Sequence, residues 1–403
     1  MTQQQLQPSS VKAVQEAILE ARTAKTPLEI IGGGTKRSFG RPVLAPTVLS
    51  TSALSGIVEY LPHELILVTK PGTPMREITQ TLADKGQELA FEPPQWADHA
   101  TIGGVVATNL SGPRRLRAGA ARDHLLGFEA VSGLGEVFHG GGKVVKNVTG
   151  YDVSKLMAGS FGTLAVMTEL VLKVLPAAAT QATVAVGGMD AQAATEAFDQ
   201  INRTHHEPTA MAYLPKGTAL PASCGPVAQM AAAQSLTLFR LEGPAPSVHA
   251  RVEALLPLLG GQGGQVRSLA EGESKALWQT LNELTPLPVE GTARLWRFSV
   301  PPTAGPSLLN KLTTTHEGKG FVTWGGALVW VVLPANVDEG VLHNMASEAG
   351  GNARMVNSGS MVDHPQFQAV TPLTSGLHKL NQNLKAAFDP DRILNPGRLY
   401  PDL

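Results

Sequence analysis

Three consecutive glycines, Gly32-Gly33-Gly34, follow directly on the apolar run Leu28–Ile31 and lead into Thr35-Lys36. Residues without a Cβ let a chain turn abruptly at the end of a strand and come close to a ligand. Backbone N–H groups exposed by such a turn make a concave donor set suited to phosphate. Thr35 adds a hydroxyl to it and Lys36 a positive charge. The same pattern fits a tight glycine turn that holds nothing, and the loop alone does not decide between the two. It is neither of the two standard nucleotide fingerprints. A G-x-G-x-x-G motif starting at Gly32 needs glycine where Arg37 stands, and Gly142-Lys143 has Val137 and Val144 where a P-loop needs glycine and a hydroxyl.

Around this loop, residues 1–176 alternate between helical and strand patterns. Ser9 and Ser10 can cap a helix whose Val11, Val14, Ala17, Ile18 and Ala21 share a face. Leu65–Thr69 reads as a strand, and Thr73-Pro74 as a cap and first residue of the next helix, ended by Gly86. Glu88–Phe91 resumes as strand. Phe128–Ser132 and Glu136–His139 form a predicted hairpin around Gly133-Leu134-Gly135, and Leu164–Leu175 is a long strand stopped by Pro176. After an alanine-rich shift at 177–200, strand, helix and strand recur: 182–186, 191–201 and 209–213; 236–241, 248–259 and 265–269; 294–300, 306–312 and 320–324. Gly325-Gly326 then turns into 327–333, and 341–348 is a further helix. The expected fold class is α+β, with the helices of the second region on one face of a sheet. A helix and a proline-punctuated tail close the chain.

Composition limits the functions open to this chain of 403 residues. Its formal net charge of -1 gives no excess of positive charge to draw it onto nucleic acid. Its single cysteine, Cys224, cannot form an internal disulfide, which points to a reducing compartment. The polar start Met1–Ser10 lacks the pattern of a secretion signal, and no apolar run approaches the ~20 residues of a membrane helix. The expectation is a cytoplasmic protein without a transmembrane segment.

Three further segments carry candidate chemistry. In Thr101-Ile102-Gly103-Gly104, continuing through Thr108, Ser111 and Gly112, Thr101 is a plausible N-cap and the small residues after it suit a short helix. Open N–H groups at a helix start attract an anion by roughly 0.3–1 kcal/mol per charge. Packing of helix on sheet would also explain Gly103 and Gly104. Lys146–Thr168 holds a short helix and the turn Gly159-Ser160-Phe161-Gly162 before a strand, where two glycines can admit a flat ring or a pyrophosphate. Phe388–Arg398 presents Asn395, restrained by Pro396. Ordinary turn chemistry accounts for these last two segments equally well.

Together the four segments resemble the FAD-binding flavoproteins of the vanillyl-alcohol oxidase and p-cresol methylhydroxylase (PCMH) type, and within them the family of FAD-binding E subunits of bacterial glycolate oxidases. The likeness is close over 1–176, moderate in the tail and a matter of pattern in the middle. It implies a two-lobed PCMH-type FAD domain over 1–176, an α+β, ferredoxin-like cap over 177–360, and a segment 361–403 that returns to the flavin. It implies FAD held by Gly32, Gly33, Gly34, Thr35, Lys36, Thr101, Gly103, Gly104, Thr108, Ser111 and Gly112 around the pyrophosphate. Gly162, Thr163, Leu164 and Val166 would lie near the adenine, and Asn395 near the ring. Many relatives attach the flavin through a histidine of the glycine loop. This loop holds neither His nor Cys, so the expected FAD is non-covalent.

The resemblance also implies oxidation of glycolate or a similar 2-hydroxy acid, in a complex with a sister FAD-linked subunit and an iron–sulfur subunit through which membrane association could arise. An alternative is a non-catalytic FAD-containing relay or assembly subunit. The histidine- and aspartate-rich cap motif of catalytic relatives is missing, which favours that alternative. His205-His206-Glu207 reads as a solvated loop and Asp363-His364 as structural, so no metal is expected and the catalytic residues are not located. Arg114 and Arg115 read as a solvated surface loop. Trp296, Trp324 and Trp330 read as core, and Arg294 and Arg297 as optional carboxylate forks.

Overall fold

A computed structural model describes residues 3–145, 150–260, 264–357 and 367–403. Lys146–Thr149 and Asp363-His364-Pro365, singled out in the sequence, lie outside the described residues, as does the division at 360. The chain falls into two compact units. The first comprises Met1–Ser111, Gly119–Ala177 and Asp363–Leu403, and the second Gly112–Ala118 with Ala178–Val362. A division at 176 does not include the short excursion Gly112–Ala118, which groups with the second unit.

The first unit has two lobes. In one, β1 (Gln4–Leu6), β2 (Leu28–Ile31) and β3 (Thr47–Ser50) form a parallel sheet in the order β1-β3-β2. The helix Val11–Ala24 packs Val14, Ile18 and Ala21 into the same core as Leu28, Leu49, Ile393 and Leu394. Ser10 caps it by accepting from the Ala13 N–H at 3.1 Å. In the other lobe, β4 (Ile57–Leu61), β5 (Ile66–Thr69), β7 (Leu125–Ser132), β8 (Val137–Gly141) and β9 (Ala165–Lys173) form an antiparallel sheet in the order β4-β5-β9-β7-β8. The hairpin β7–β8 turns at Gly135, whose φ of +78° suits glycine. The short strands β6 (Gln87–Glu88) and β10 (Leu175–Pro176) pair with each other.

Two local expectations fail here. Thr73 does not cap the helix Met75–Ala83. Pro74 is the cap residue, and the Thr73 hydroxyl instead donates to the Lys70 carbonyl at 2.7 Å, bracing the preceding turn. The strand expected over 88–91 stops at Glu88, and Leu89 and Phe91 are buried without a ladder partner of their own.

The tail is stitched into the first lobe. Leu28 donates to Ile393 at 2.7 Å, and Asn395 donates back to the Leu28 carbonyl at 3.0 Å, so the tail extends β2 by a parallel bridge. The helix Ser375–Phe388 delivers Lys385 to a buried site. Its ammonium donates to Asp389 and to the Thr163 and Leu394 carbonyls, each at 2.7 Å. Asp389 also accepts the N–H groups of Ile393 and Leu394.

The second unit is one antiparallel sheet of eight strands. These are β11 (Thr180–Gly187), β12 (Ala210–Leu214), β13 (Leu236–Gly243), β14 (Val266–Leu269), β15 (Arg294–Ser299), β16 (Lys319–Thr323), β17 (Leu328–Leu333) and β18 (Asn352–Asn357). Their order is β14-β11-β13-β12-β16-β17-β15-β18. Directly paired residues share a face, which sorts the side chains. One face carries Phe239, Val322, Val331, Trp296 and Met355; Phe198 and His343 from the helices Ala191–Asn202 and Glu339–Glu348 stack on its Phe239 and Trp296.

The opposite face carries Thr183, Arg240, Phe321, Trp330, Arg297 and Arg354. Trp278 of the helix Glu271–Asn282 donates to the Thr183 hydroxyl on that face at 2.9 Å, and the Arg240 guanidinium lies 4.9 Å from its ring. Helices therefore cover both faces, not one. The helices Pro226–Ala233 and Glu271–Asn282 and the strand β18 are not among the elements expected from the sequence.

Removing one member of a buried ion pair leaves an uncompensated charge and costs about 3–5 kcal/mol. Asp389→Ala should therefore lower stability by that order in urea denaturation of the whole chain. The double variant Lys385→Met/Asp389→Ala should recover part of the loss.

Candidate FAD site

One cavity gathers most of the residues expected to hold the cofactor, and it lies wholly within the first unit. It is lined by Gly32, Gly33, Gly34, Thr35, Lys36, Thr101, Gly103, Gly104, Thr108, Gly162, Val166 and Asn395. Ser111, Gly112, Thr163 and Leu164 do not line it. Gly112 belongs to the second unit. The Ser111 hydroxyl accepts from the Ala121 N–H at 2.9 Å, and Thr163 turns its hydroxyl onto the Ser160 carbonyl at 2.7 Å. Those two groups serve the local chain.

The glycine loop leaves β2 and runs beside the segment 99–104. A Cβ on Gly33 would stand 1.7 Å from the His99 carbonyl oxygen, and one on Gly32 would stand 2.2 Å from the Thr101 hydroxyl. Gly34 has φ +84°, a left-handed conformation that side chains disfavour. The three glycines thus have three separate causes, two of close approach and one of conformation. The N–H groups of Gly33, Gly34 and Thr35 donate to no atom among the described residues. Three open donors in succession on a half-buried cavity wall are available to an acceptor from outside the chain.

Thr101 begins the helix Ile102–Thr108, with its hydroxyl 3.4 Å from the Gly104 N–H. Gly103 lies against Pro71, where a Cβ would meet Pro71 atoms at 2.6 and 2.7 Å, so packing explains it. Gly104 has only ordinary contacts in prospect, at 3.5 Å and beyond, and its space opens toward the Lys36 side chain. The Lys36 ammonium is buried, donates to the Thr35 hydroxyl at 2.9 Å and to the Gln95 carbonyl at 3.2 Å, and lies 5.6 Å from the Trp96 ring.

Asn395 ties the walls together. Its side-chain oxygen accepts the Ile30 N–H at 2.7 Å, and its amide donates to the Phe161 carbonyl at 2.7 Å and to Ile30 at 3.3 Å. Most of its hydrogen-bonding capacity is therefore spent on the protein, and it holds β2 against the Phe161-Gly162 turn. Gly162, with φ +68°, packs its α-carbon where a Cβ would meet the Asn395 amide at 3.0 Å.

Sequence reasoning missed Arg398. It lines the cavity, donates to the Lys36 carbonyl at 2.8 Å and to the Arg41 carbonyl at 3.0 Å, and braces the glycine loop from behind. Burial pushes its guanidinium down to about 10, the neighbouring Glu29 opposing and Arg37 adding to the shift. It remains charged at neutral pH. Arg37 is held by a two-point contact with Glu29, which raises its guanidinium further. The only advance signal for Arg398 was its place in the tail phrase.

The second unit corrects another reading. Arg114 is not a solvated loop residue: it is buried and pairs with Glu242 at 2.9 Å, and Glu242 also lies 3.6 Å from Arg240. Although burial works in the opposite direction, Arg240 and Arg114 hold the Glu242 carboxyl below its ordinary range. His206 is buried beside exposed His205, and no group of three or more His, Cys, Asp or Glu placed to hold a metal lies among the described residues. No helix among them is long and apolar enough to cross a membrane.

These features define an FAD-binding chain. Residues 2–141 match the FAD binding domain family, and residues 374–399 match the C-terminal domain of FAD linked oxidases. The chain is 15% identical to p-cresol methylhydroxylase, with a TM-score of 0.70 over 98% of this chain and 88% of that one, which establishes a PCMH-type fold. Over 394 residues it is 34% identical to the glycolate oxidase subunit GlcE of Escherichia coli (strain K12), covering 97% of this chain and 98% of that protein. It is 26% identical to the glycolate oxidase subunit GlcD of Bacillus subtilis (strain 168), over 93% of this chain and 84% of that one. The chain belongs to the FAD-linked oxidases, in the family of the glycolate oxidase subunit GlcE, and its cofactor is FAD.

The clash at Gly33 is with backbone and cannot be relieved by a rotamer change. Gly33→Val should therefore lower the thermal midpoint of the whole chain by several degrees, consistent with a loss of about 1–3 kcal/mol. Differential scanning calorimetry reads it directly; an unchanged midpoint would show that the loop yields freely.

Proposed function

We propose that this chain holds FAD without a covalent link and takes part in oxidising glycolate, or a similar 2-hydroxy acid, to the 2-oxo acid. The observation that carries the cofactor half is the run of unpaired N–H groups at Gly33, Gly34 and Thr35 beside the Lys36 ammonium. These donors suit the pyrophosphate, with the open side of Gly104 giving it room and Arg398 holding the loop's shape. Gly162 and Val166 are proposed for the adenine end. Asn395 is proposed as a positioning residue, since its hydrogen bonds are already committed to Ile30 and Phe161. Bound FAD would supply the acceptor for a hydride from the substrate Cα. The substrate half rests on the relatives, which are named as glycolate oxidase subunits and as D-lactate dehydrogenases, among them that of Archaeoglobus fulgidus, 33% identical over 42% of this chain.

Electrons are proposed to leave through partner subunits, a sister FAD-linked subunit and an iron–sulfur subunit; any membrane association would run through them. A second reading keeps FAD but makes this chain a relay or assembly subunit whose sister holds the substrate. It is favoured by the sequence, which lacks the histidine- and aspartate-rich cap motif that the family resemblance associates with catalytic relatives.

Anaerobic addition of glycolate distinguishes the two. Bleaching of the flavin in the isolated chain supports the oxidase reading; bleaching only in the reconstituted complex supports the relay. Because the glycine loop offers no His or Cys, acid precipitation should leave the yellow chromophore in the supernatant, and a yellow pellet would refute non-covalent binding. Gly104→Val should keep a normal thermal midpoint while flavin content falls about tenfold or more, since its Cβ fills ligand space and not protein. Full flavin content in that variant would remove the proposed cradle.

A further inference from the structure

The second unit neutralises most of its buried arginines with carboxylates. Arg114 and Arg240 share Glu242, and Arg294 pairs with Glu339. Arg297, which is half-buried, has no such partner among the described residues. It stands in the middle of the sheet on β15, directly opposite Arg354 on β18 and Trp330 on β17. Its guanidinium carbon lies 5.0 Å from the Trp324 ring centre and 5.7 Å from that of Trp330. The guanidinium of Arg115 lies 4.2 Å from the same Trp324 ring, and the Trp324 indole N–H is fixed on the Gly112 carbonyl at 2.8 Å. Among the described residues no carboxylate pairs with Arg297, and its Nε is sealed from solvent with no acceptor.

Like charges directly opposite each other on a sheet repel, and a guanidinium N–H sealed from solvent without an acceptor is costly. Two indole faces attract cations but satisfy no N–H donor. Desolvation first, then Arg354 and Arg115, push the Arg297 guanidinium down to about 9; it still carries its charge at neutral pH. A planar, charged fork with an open donor edge, walled by two buried indoles, matches a small carboxylate in two-point contact.

We propose that Arg297, with Arg354 and Arg115 beside it and Trp324 and Trp330 as walls, is a carboxylate-binding site that takes a small 2-hydroxy or 2-oxo acid. The oxyanion preference follows from the cluster itself; the choice of acid rests on the function proposed above. Arg115 is exposed, so one edge of the cluster is open to solvent.

The walls supply their own readout, because a ligand on Arg297 would perturb the fluorescence of Trp324 and Trp330. The full chain is titrated with glycolate, inorganic phosphate and chloride while tryptophan emission is followed. Glycolate should give a saturable change. Arg297→Met should weaken it by about tenfold or more, and Arg297→Lys by less, since it keeps the charge and loses the fork. Flavin content should stay unchanged in both. No saturable response to glycolate in the parent chain, or an equal response in folded Arg297→Met, would overturn the site; if Met fails to fold, an unweakened response in Lys does so. Saturation by phosphate and not by glycolate would overturn the carboxylate assignment. Flavin bleaching by glycolate is scored separately. Its persistence with unchanged KM in Arg297→Met sinks this site alone. Its absence from every preparation, with the tryptophan response intact, sinks the proposed oxidation alone.

Discussion

The parallel bridge between β2 and the C-terminal tail is the contact on which the FAD site depends. Leu28 and Asn395 exchange backbone hydrogen bonds with the facing strand, and the Asn395 side chain reaches Ile30 and Phe161. The strand that launches the glycine loop is thereby fixed to the turn that ends in Gly162. Behind it, Lys385 and Asp389 satisfy each other and four backbone groups in a buried setting. Such networks rigidify when every member is satisfied. The loop can then leave three N–H groups unpaired without collapsing onto them.

The second unit solves a different problem. One face of its sheet is apolar and covered by helices, with Trp296 and Phe239 in ring contact with helical residues. The other face is built around cations, and their neutralisation is uneven. Glu242 serves Arg114 and Arg240, while Arg297 has aromatic walls and cationic neighbours. Since donors sealed from solvent are ordinarily paired, the uneven position is the informative one.

Much of this was legible in advance where the signal is local. The Ser10 cap, the Gly133–Gly135 hairpin and the Thr101 helix start depend on neighbouring residues in the chain and are found as expected. Thr73 was misread because its hydroxyl had a nearer partner in the preceding turn. Arg114 was misread because its partner, Glu242, is remote in sequence. Gly103 and Gly104 look alike as letters, yet one packs on Pro71 and the other faces open space.

By itself the sequence determined the α+β class, the strand running into a glycine loop and, through resemblance, FAD as the cofactor. These follow from periodicity and from residue types whose effect does not depend on distant partners. Only the tertiary structure decided which residues share a wall: that Thr163 and Leu164 fall outside the cavity, that Asn395 is already bonded, and that Arg398 braces the loop. It also decided that Arg297, unlike Arg294 on the same strand, meets no carboxylate among the described residues. Satisfaction of a polar group is a property of its surroundings in space, and chain order does not encode it one residue at a time.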